Sequence, residues 1–405
     1  MKNVIFVAPY FMAATERFLG AVTTVTDARV SLVSCDPLEK LSPDIRQRLN
    51  THHQIKGIST DDIVGGVRSL QDRLGPVDRL LGMLEQIQVP LGEVRDRLQI
   101  PGMGGEIANR FRDKGLMKSI LRDAGLPTAK HCRANSVMDA LAFADQQGFP
   151  LIVKPVDGAG AQGTFRCDDR QRLISCLEYL KPQPAAPIVL EEFVLGREHS
   201  FDSVCIDGKV VWSSISHYFP GPLEVIQQSW IQWAVLIPRE PEHSHYHPIE
   251  QVMPRALEAL GMKTGLSHAE WFLRTDGTVA ISEVGARPPG AQFSTLISYA
   301  HDFNLYRAWA RLMIHDQFDP PARKFAVGAA YLRGMGQGHV KQIAGLEQIH
   351  DEINEFVVEA RFPQIGQAAA EGYEGDGYII VRHPQTDRVK WMLQQIISNV
   401  QIKLE

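Results

Sequence analysis

Two glutamates would share a cation if the chain folds back between them. His268–Ala269–Glu270–Trp271–Phe272–Leu273–Arg274–Thr275–Asp276–Gly277–Thr278–Val279–Ala280–Ile281–Ser282–Glu283 reads as two short strands joined at Asp276–Gly277. Asp-Gly is a favoured central pair of a two-residue type I′ hairpin loop, because both positions need positive φ. That loop would pair Thr275 with Thr278, Ser282 with Trp271 and Glu283 with Glu270. The Cβ atoms of the two acids would then stand about 5 Å apart, and like charges directly opposite destabilise a sheet. Their neighbours are largely apolar, which limits solvation. A bound cation relieves the repulsion, and oxygen ligands of this kind suit Mg²⁺ that also holds a substrate phosphate. Taken alone, a surface hairpin with two solvated acids accounts for the same residues.

Other segments carry complementary chemistry. Lys154 ends the strand-like run Leu151–Pro155 and leads into the glycine-rich loop Asp157–Gly163. Glycines let backbone N–H groups approach an anion, and a lysine adds a point charge for phosphate. The spacing differs from the Gly-x-x-x-x-Gly-Lys-[Ser/Thr] phosphate loop, and such a loop can also be a plain hairpin tip. In Glu191–Glu192–Phe193–Val194–Leu195–Gly196–Arg197–Glu198, backbone groups around Phe193–Val194 could read a purine edge, and Glu198 could accept from ribose hydroxyls. An edge strand with solvated acids is the plainer alternative. Lys114 and Lys118 lie one helical turn apart and share a face. Most lysines so placed are solvated.

The elements that must position these residues follow an α/β pattern at first. Val4–Ala8 and Val30–Ser34 read as buried strands, and residues 13–22, 61–75 and 92–98 as helices. Alternation of this kind implies a parallel sheet with helices on its faces. No Gly-x-Gly-x-x-Gly follows the first strand, so dinucleotide binding is not expected there. Residues 105–124 read as one amphipathic helix stopped by Gly125 and Pro127. Helices are expected at 137–147, 169–180, 248–261, 302–316 and 385–399, and strands at 188–194 and 198–217, the latter turning at Asp207–Gly208. Residues 220–245 carry no clear period and sit where a variable substrate loop would fit. Trp230, Trp233 and Trp271 read as packing residues, and His199 and His268 as structural histidines.

Composition bounds the rest. A chain of 405 residues suggests several domains. A formal charge of −5 leaves no footprint for nucleic acid or an anionic membrane surface. Five scattered cysteines without a Cys-x-x-Cys pair argue against a zinc site and a disulfide framework, and fit a reducing cytoplasm. No signal peptide or bilayer-spanning run is evident.

In order, Asp113–Lys114, Val153–Lys154–Pro155, the glycine loop, Glu191–Val194, Glu198, Glu270 and Glu283–Val284–Gly285–Ala286–Arg287 resemble the ATP-grasp superfamily. Gly265–Glu270, Glu283–Gly290 and the tail around Tyr331–Gly334 and Gly338–Val340 are most similar to carboxylate–amine ligases of the L-amino-acid ligase and carnosine-synthase type. The resemblance implies a mixed α/β and α+β fold. Residues 1–112 would form a doubly wound N-terminal α/β domain. Residues 113–320 would form the ATP-grasp domain, with a mobile lid at about 129–195, and 321–405 a small α+β region that completes it.

It also implies roles. Lys114 and Lys154 would contact ATP phosphates under a lid containing Gly158, Gly160 and Gly163. Glu191 and the backbone of Glu192, Phe193 and Val194 would hold adenine, and Glu198 the ribose. Glu270 and Glu283 would hold Mg²⁺, with Mn²⁺ as an alternative. Arg287, with Lys154, would be catalytic, stabilising the transferred phosphate or binding a substrate carboxylate. Many relatives have Asn two residues after the second metal glutamate; Gly285 stands there in this chain. The implied reaction joins a small-molecule carboxylate and an amine through an acyl phosphate, releasing ADP and phosphate, in a cytoplasmic enzyme that could be a homodimer. The alternatives are a ligase acting on bicarbonate or formate and a nucleotide-binding protein without catalysis.

Overall fold

The computed structural model describes residues 1–158, 160, 163–228, 231–240, 246–370 and 372–405. Trp230 and part of the glycine loop, Ala159, Ala161 and Gln162, lie outside the described residues. The first sheet is parallel, as the alternation implied. It comprises β1 (Lys2–Val7), β2 (Ala28–Ser34), β3 (Thr51–Gln54) and β4 (Arg79–Leu81) in the order β3-β2-β1-β4. Residues 13–22 and 60–74 are helical as expected, and 88–98 extends the helix read at 92–98.

A second, antiparallel sheet contains β5 (His131–Ala134), β6 (Leu151–Pro155), β7 (Phe165–Cys167) and β8 (Ile188–Glu192), ordered β5-β8-β6-β7. The third sheet has eight strands. These are β9 (Gly196–Ile206), β10 (Lys209–Phe219), β11 (Trp233–Ile237), β12 (Gly265–Arg274), β13 (Val279–Gly285), β14 (Ala326–Leu332), β16 (Val357–Arg361) and β17 (Gly377–His383). Their order is β13-β12-β9-β10-β11-β14-β17-β16. A short ribbon pairs β15 (Val340–Ala344) with β18 (Gln401–Leu404). Helices Phe293–His301 and Leu305–His315 lie between the first and third sheets. One buried apolar cluster runs through them, from Phe6 and Phe18 to Trp309, Phe293, Trp233 and Tyr331.

Two expected details are corrected. The helix read over 105–124 is two helices, Gly105–Arg112 and Lys114–Asp123, divided at Asp113. Asp113 has extended backbone, and its Oδ1 accepts from Leu116 N at 2.9 Å. A carboxylate that satisfies an otherwise orphan N–H starts a new helix. Met117 and Leu121 bury the apolar face of that helix, and Lys114 and Lys118 are buried with them. The expectation of solvated lysines is therefore overturned.

The hairpin loop is also not the two-residue type. Asp276 does not adopt positive φ; Gly277 does, at 82°. Gly277 N donates to Arg274 O and Arg274 N to Thr278 O, so Thr275–Gly277 form a three-residue loop closed by a left-handed glycine. The extra residue shifts the register by one, placing Leu273 opposite Val279 and Trp271 opposite Ile281. A bulge at Ser282 then restores it, and Glu270 faces Glu283 as expected.

Asp113 also forms an ion pair with Arg133 of β5. Asp113→Ala should lower unfolding free energy by about 1–2 kcal/mol, the usual cost of a lost cap. Asp113→Asn, which keeps a capping oxygen, should retain most of it. Urea unfolding of the two variants checks this; equal midpoints would show that the cap contributes nothing.

Candidate active site

The second sheet faces the β12–β13 hairpin across a cleft, and the sequence-predicted residues converge there. Lys114, Lys154, Gly158, Gly160, Glu191–Val194, Glu198, Glu270, Glu283 and Arg287 all line one cavity of about 190 Å³. Gly163 is not among its lining residues. A larger cavity of about 1750 Å³ adjoins it and shares Phe193, Val194, Glu198 and Tyr218 with it.

Opposite charges alternate through the cleft. Lys154 projects from β6 and reaches Glu191 of β8 at 2.8 Å. Lys118 approaches the same Glu191 oxygen at 3.3 Å. Burial opposes charge on Lys154, but the fields of Glu191, Glu283 and Glu270 outweigh it and hold the ammonium above its ordinary value. Lys118 is completely buried; burial wins over the pull of Glu191 and brings it down to about 8. Burial likewise opposes ionisation of Glu191, yet Lys118 and Lys154 together keep it below the ordinary carboxylate value. Glu191 thus faces two lysines rather than an open purine slot.

The facing glutamates differ in environment. Lys114 reaches Glu283 at 3.0 Å and also donates to Gly158 O at 2.5 Å. Burial resists ionisation of Glu283, but Lys114 and Lys154 prevail and hold it down to about 2. Glu270 is raised by burial and then by the charge of Glu283. Glu198 is raised well above the ordinary range by burial and by Glu270. Its carboxylate packs so closely on Gly221 that a Cβ there would overlap with it. The hairpin therefore presents two carboxylates with Glu198 nearby, and their repulsion is not fully offset by protein cations. Hard oxygen donors with excess negative charge fit Mg²⁺. Among the described residues no cluster of three or more His, Cys, Asp or Glu has metal-binding geometry, so phosphate and water would complete the shell. At Gly285, a Cβ would sit 3.6 Å from Glu85 Oε2 and 3.7 Å from Arg287 Cγ. The ground that a longer side chain would occupy there borders the Glu85–Arg287 pair.

That pair was not legible in the sequence. Glu85, in the N-terminal domain just before the helix at 88–98, pairs with Arg287 Nε. Burial lowers the guanidinium's basicity, but Glu85 reverses this and keeps it firmly charged. Arg287 also donates to Pro288 O at 2.9 Å. His268, read as structural, lines the cavity with its Nδ1 2.8 Å from the buried Asp202 Oδ1. Trp271 is buried packing, as expected, whereas Trp233 is both packed and cavity-lining.

An apolar slot completes the site. Ala129 and Ile152 lie on one side, Phe272 and Ile281 on the other. At its edge, Phe193 N donates to Pro150 O at 3.2 Å, so that N–H is not open to a ligand, correcting the expectation. Arg166 lies over the Phe193 ring at 4.4 Å. The Glu192 side chain is turned away toward Lys130 N and Arg274. Among the described residues, no helix is long and apolar enough to cross a membrane.

Comparison with known proteins bears on this arrangement. Residues 119–301 match the family described as ATP-grasp domain. The chain is 27% identical over 252 residues to the L-arginine-specific L-amino acid ligase of Bacillus subtilis, covering 60% of this chain and 59% of that protein. It is 27% identical over 219 residues to a D-alanine–D-alanine ligase of Geobacillus kaustophilus, covering 49% of this chain and 56% of the relative. The chain thus spans less than two thirds of the length of these relatives. Among solved structures, an L-amino acid ligase from Bacillus licheniformis superposes with a TM-score of 0.80 at 19% identity, covering 100% of this chain and 99% of that one. The shared fold is the ATP-grasp fold.

The buried ion pairs make two predictions. Glu191→Gln leaves Lys118 and Lys154 facing each other without their shared acid, and breaking a buried pair in this way costs about 3–5 kcal/mol. Urea unfolding without nucleotide measures it, and a loss below about 1 kcal/mol would place the pair in the weak class of exposed ion pairs. Glu283 has a pKa of about 2 when folded, below its unfolded value of about 4.3. Its contribution is therefore complete above that unfolded value and lost as pH falls through the folded one. Lys114→Met should flatten this acid limb in unfolding measured between pH 2 and 5; an unchanged limb would show that Lys114 is not its source.

Proposed function

From the ATP-grasp domain that this chain carries, we propose an ATP-dependent carboxylate–amine ligase that joins an amino acid to an amine. The observation that supports this reading is the convergence of Lys114, Lys154, Glu270, Glu283 and Arg287 on one cavity. Two phosphate-seeking cations, a paired carboxylate site and a half-buried guanidinium are the parts that acyl-phosphate chemistry needs.

A carboxylate resists amide formation because oxide is a poor leaving group. A substrate carboxylate oxygen would bond to the γ-phosphorus of ATP, and the bond from that phosphorus to the ADP oxygen would break. The amine nitrogen would then attack the acyl carbon, lose its proton, and expel inorganic phosphate. Lys114 and Lys154 would hold the phosphates, and Arg287 would meet the substrate carboxylate or the transferred phosphoryl group in a geometry that guanidinium favours. Bound at Glu270 and Glu283, Mg²⁺ or Mn²⁺ would offset the charge that gathers on the phosphates during transfer. The purine would lie in the slot of Ile152 and Ile281. The Glu192 carbonyl and Val194 N–H would read its edge, and Glu198 would take the ribose. Excluding water from the cleft protects the acyl phosphate from hydrolysis.

ADP release with MgATP and a panel of amino-acid pairs tests the reading. Turnover with bicarbonate or formate but with no amino acid would overturn it. Glu283→Ala should reduce turnover by about 10²–10³-fold or more, the scale of losing one electrostatic element of an active site. Retained activity would remove Glu283 from the metal site.

A further inference from the structure

Part of the cavity wall is aromatic: Tyr218 from β10, Trp233 from β11, Phe293 at the start of its helix, and Tyr373 from the loop before β17. Tyr373 meets Trp233 edge-on, with centroids 4.7 Å apart at 83°. Tyr218 contacts both Trp233 and Phe293 in edge geometry, at 5.7 and 5.8 Å. Tyr331 stacks behind Trp233 at 4.5 Å, and its hydroxyl is anchored on Ala291 O. Trp233 and Phe293 are 1% and 2% exposed, so this backing is rigid.

Tyr373 differs from the other three. It is half-buried and carried by a loop rather than by a strand or helix. The base of that loop is fixed, because Asp376 accepts from Ala370 N at 2.7 Å and from Gly334 N at 2.9 Å. A Cβ placed on Gly160 would touch the Tyr373 ring at 3.5 Å. Tyr373 therefore stands where the aromatic wall meets the glycine loop.

We propose that this wall is the side-chain subsite for the carboxylate substrate, that it takes amino acids with uncharged apolar or aromatic side chains, and that Tyr373 sets the preference. The inference rests on the ligase reading. Its charge argument is direct. Among the described residues lining the cavity, Glu191 faces Lys118 and Lys154, and Glu192 faces Arg274. Lys114 is paired with Glu283, and Glu198, Glu270 and Glu283 form the nucleotide and metal group. Arg287 is held by Glu85, and His268 by Asp202. A charged substrate side chain would lose its water without gaining a dedicated partner, which is costly. An apolar one gains by burying area against rings.

The test uses the full chain with saturating MgATP and hydroxylamine, which traps the acyl phosphate as a hydroxamate whatever the natural amine. Donors are L-phenylalanine, L-leucine, L-alanine, L-arginine and L-glutamate. The expected kcat/KM for phenylalanine or leucine exceeds that for arginine and glutamate by about tenfold or more, the scale of pocket discrimination. In Tyr373→Ala the ratio of phenylalanine to alanine should collapse, whereas Tyr373→Phe should keep it. Each ratio is taken within one protein, so a loss of folded material does not move it. A preference for arginine or glutamate, or an unchanged ratio in Tyr373→Ala, overturns the proposal. A binding arm separates it from the ligase reading: 3-phenylpropionate against acetate, titrated by calorimetry into the MgADP-loaded protein. If no amino acid yields hydroxamate but 3-phenylpropionate binds and Tyr373→Ala weakens it, the ligase reading fails and the subsite stands. If 3-phenylpropionate binds no better than acetate, the subsite falls.

Discussion

Buried charge has to be balanced locally, and that constraint organises this molecule. Lys118, Glu191 and Lys154 form one set of ion pairs and Lys114 and Glu283 another, the two coupled by the field between Lys154 and Glu283, and nearly all of it is buried. The members come from four elements: the helix at 114–123 supplies Lys114 and Lys118, β6 Lys154, β8 Glu191, and β13 Glu283. These pairs therefore tie the second sheet to the third as well as defining a site. Buried ion pairs seldom stabilise more than an apolar replacement would. Keeping five charged groups here is costly unless something bound in the cleft uses them.

The remaining acids mark what is unbalanced. Glu270 and Glu198 are pushed up, while Glu283 is held down by Lys114. The protein thus supplies enough positive charge to fix one carboxylate of the pair and leaves the other under strain. Arg287 follows the opposite logic: Glu85, paired with it from the N-terminal domain, is the main group that holds its charge, and the field of Glu283 adds to it.

Local features of the sequence were legible and long-range ones were not. The first strand, the helix at 13–22, the lysine-bearing β6 and the glutamate pair follow from period, turn chemistry and charge spacing. Asp113 was visible as an acid, but its role in breaking a helix depends on Arg133 and on an N–H three residues along, which periodicity does not weigh. Lys118 shared a face with Lys114 in the sequence, yet its burial depends on Glu191, seventy-odd positions away in the chain. Glu85 and Tyr373 had no local signal, because each acquires meaning only when distant segments meet at Arg287 and Trp233. The glutamate pair itself was anticipated by a route that fails in detail. The loop is one residue longer than expected, and the bulge at Ser282 cancels the error.

That cancellation links two positions that never touch. Turn length at Thr275–Gly277 and the bulge at Ser282 are each out of step with a regular hairpin, and only together do they bring Glu270 opposite Glu283. Because side chains alternate faces along a strand, the same residues paired without the bulge would set Ser282 opposite Glu270 and turn Glu283 to the other face. The spare residue in the ladder is what lets a three-residue loop and a facing pair of acids coexist in one hairpin.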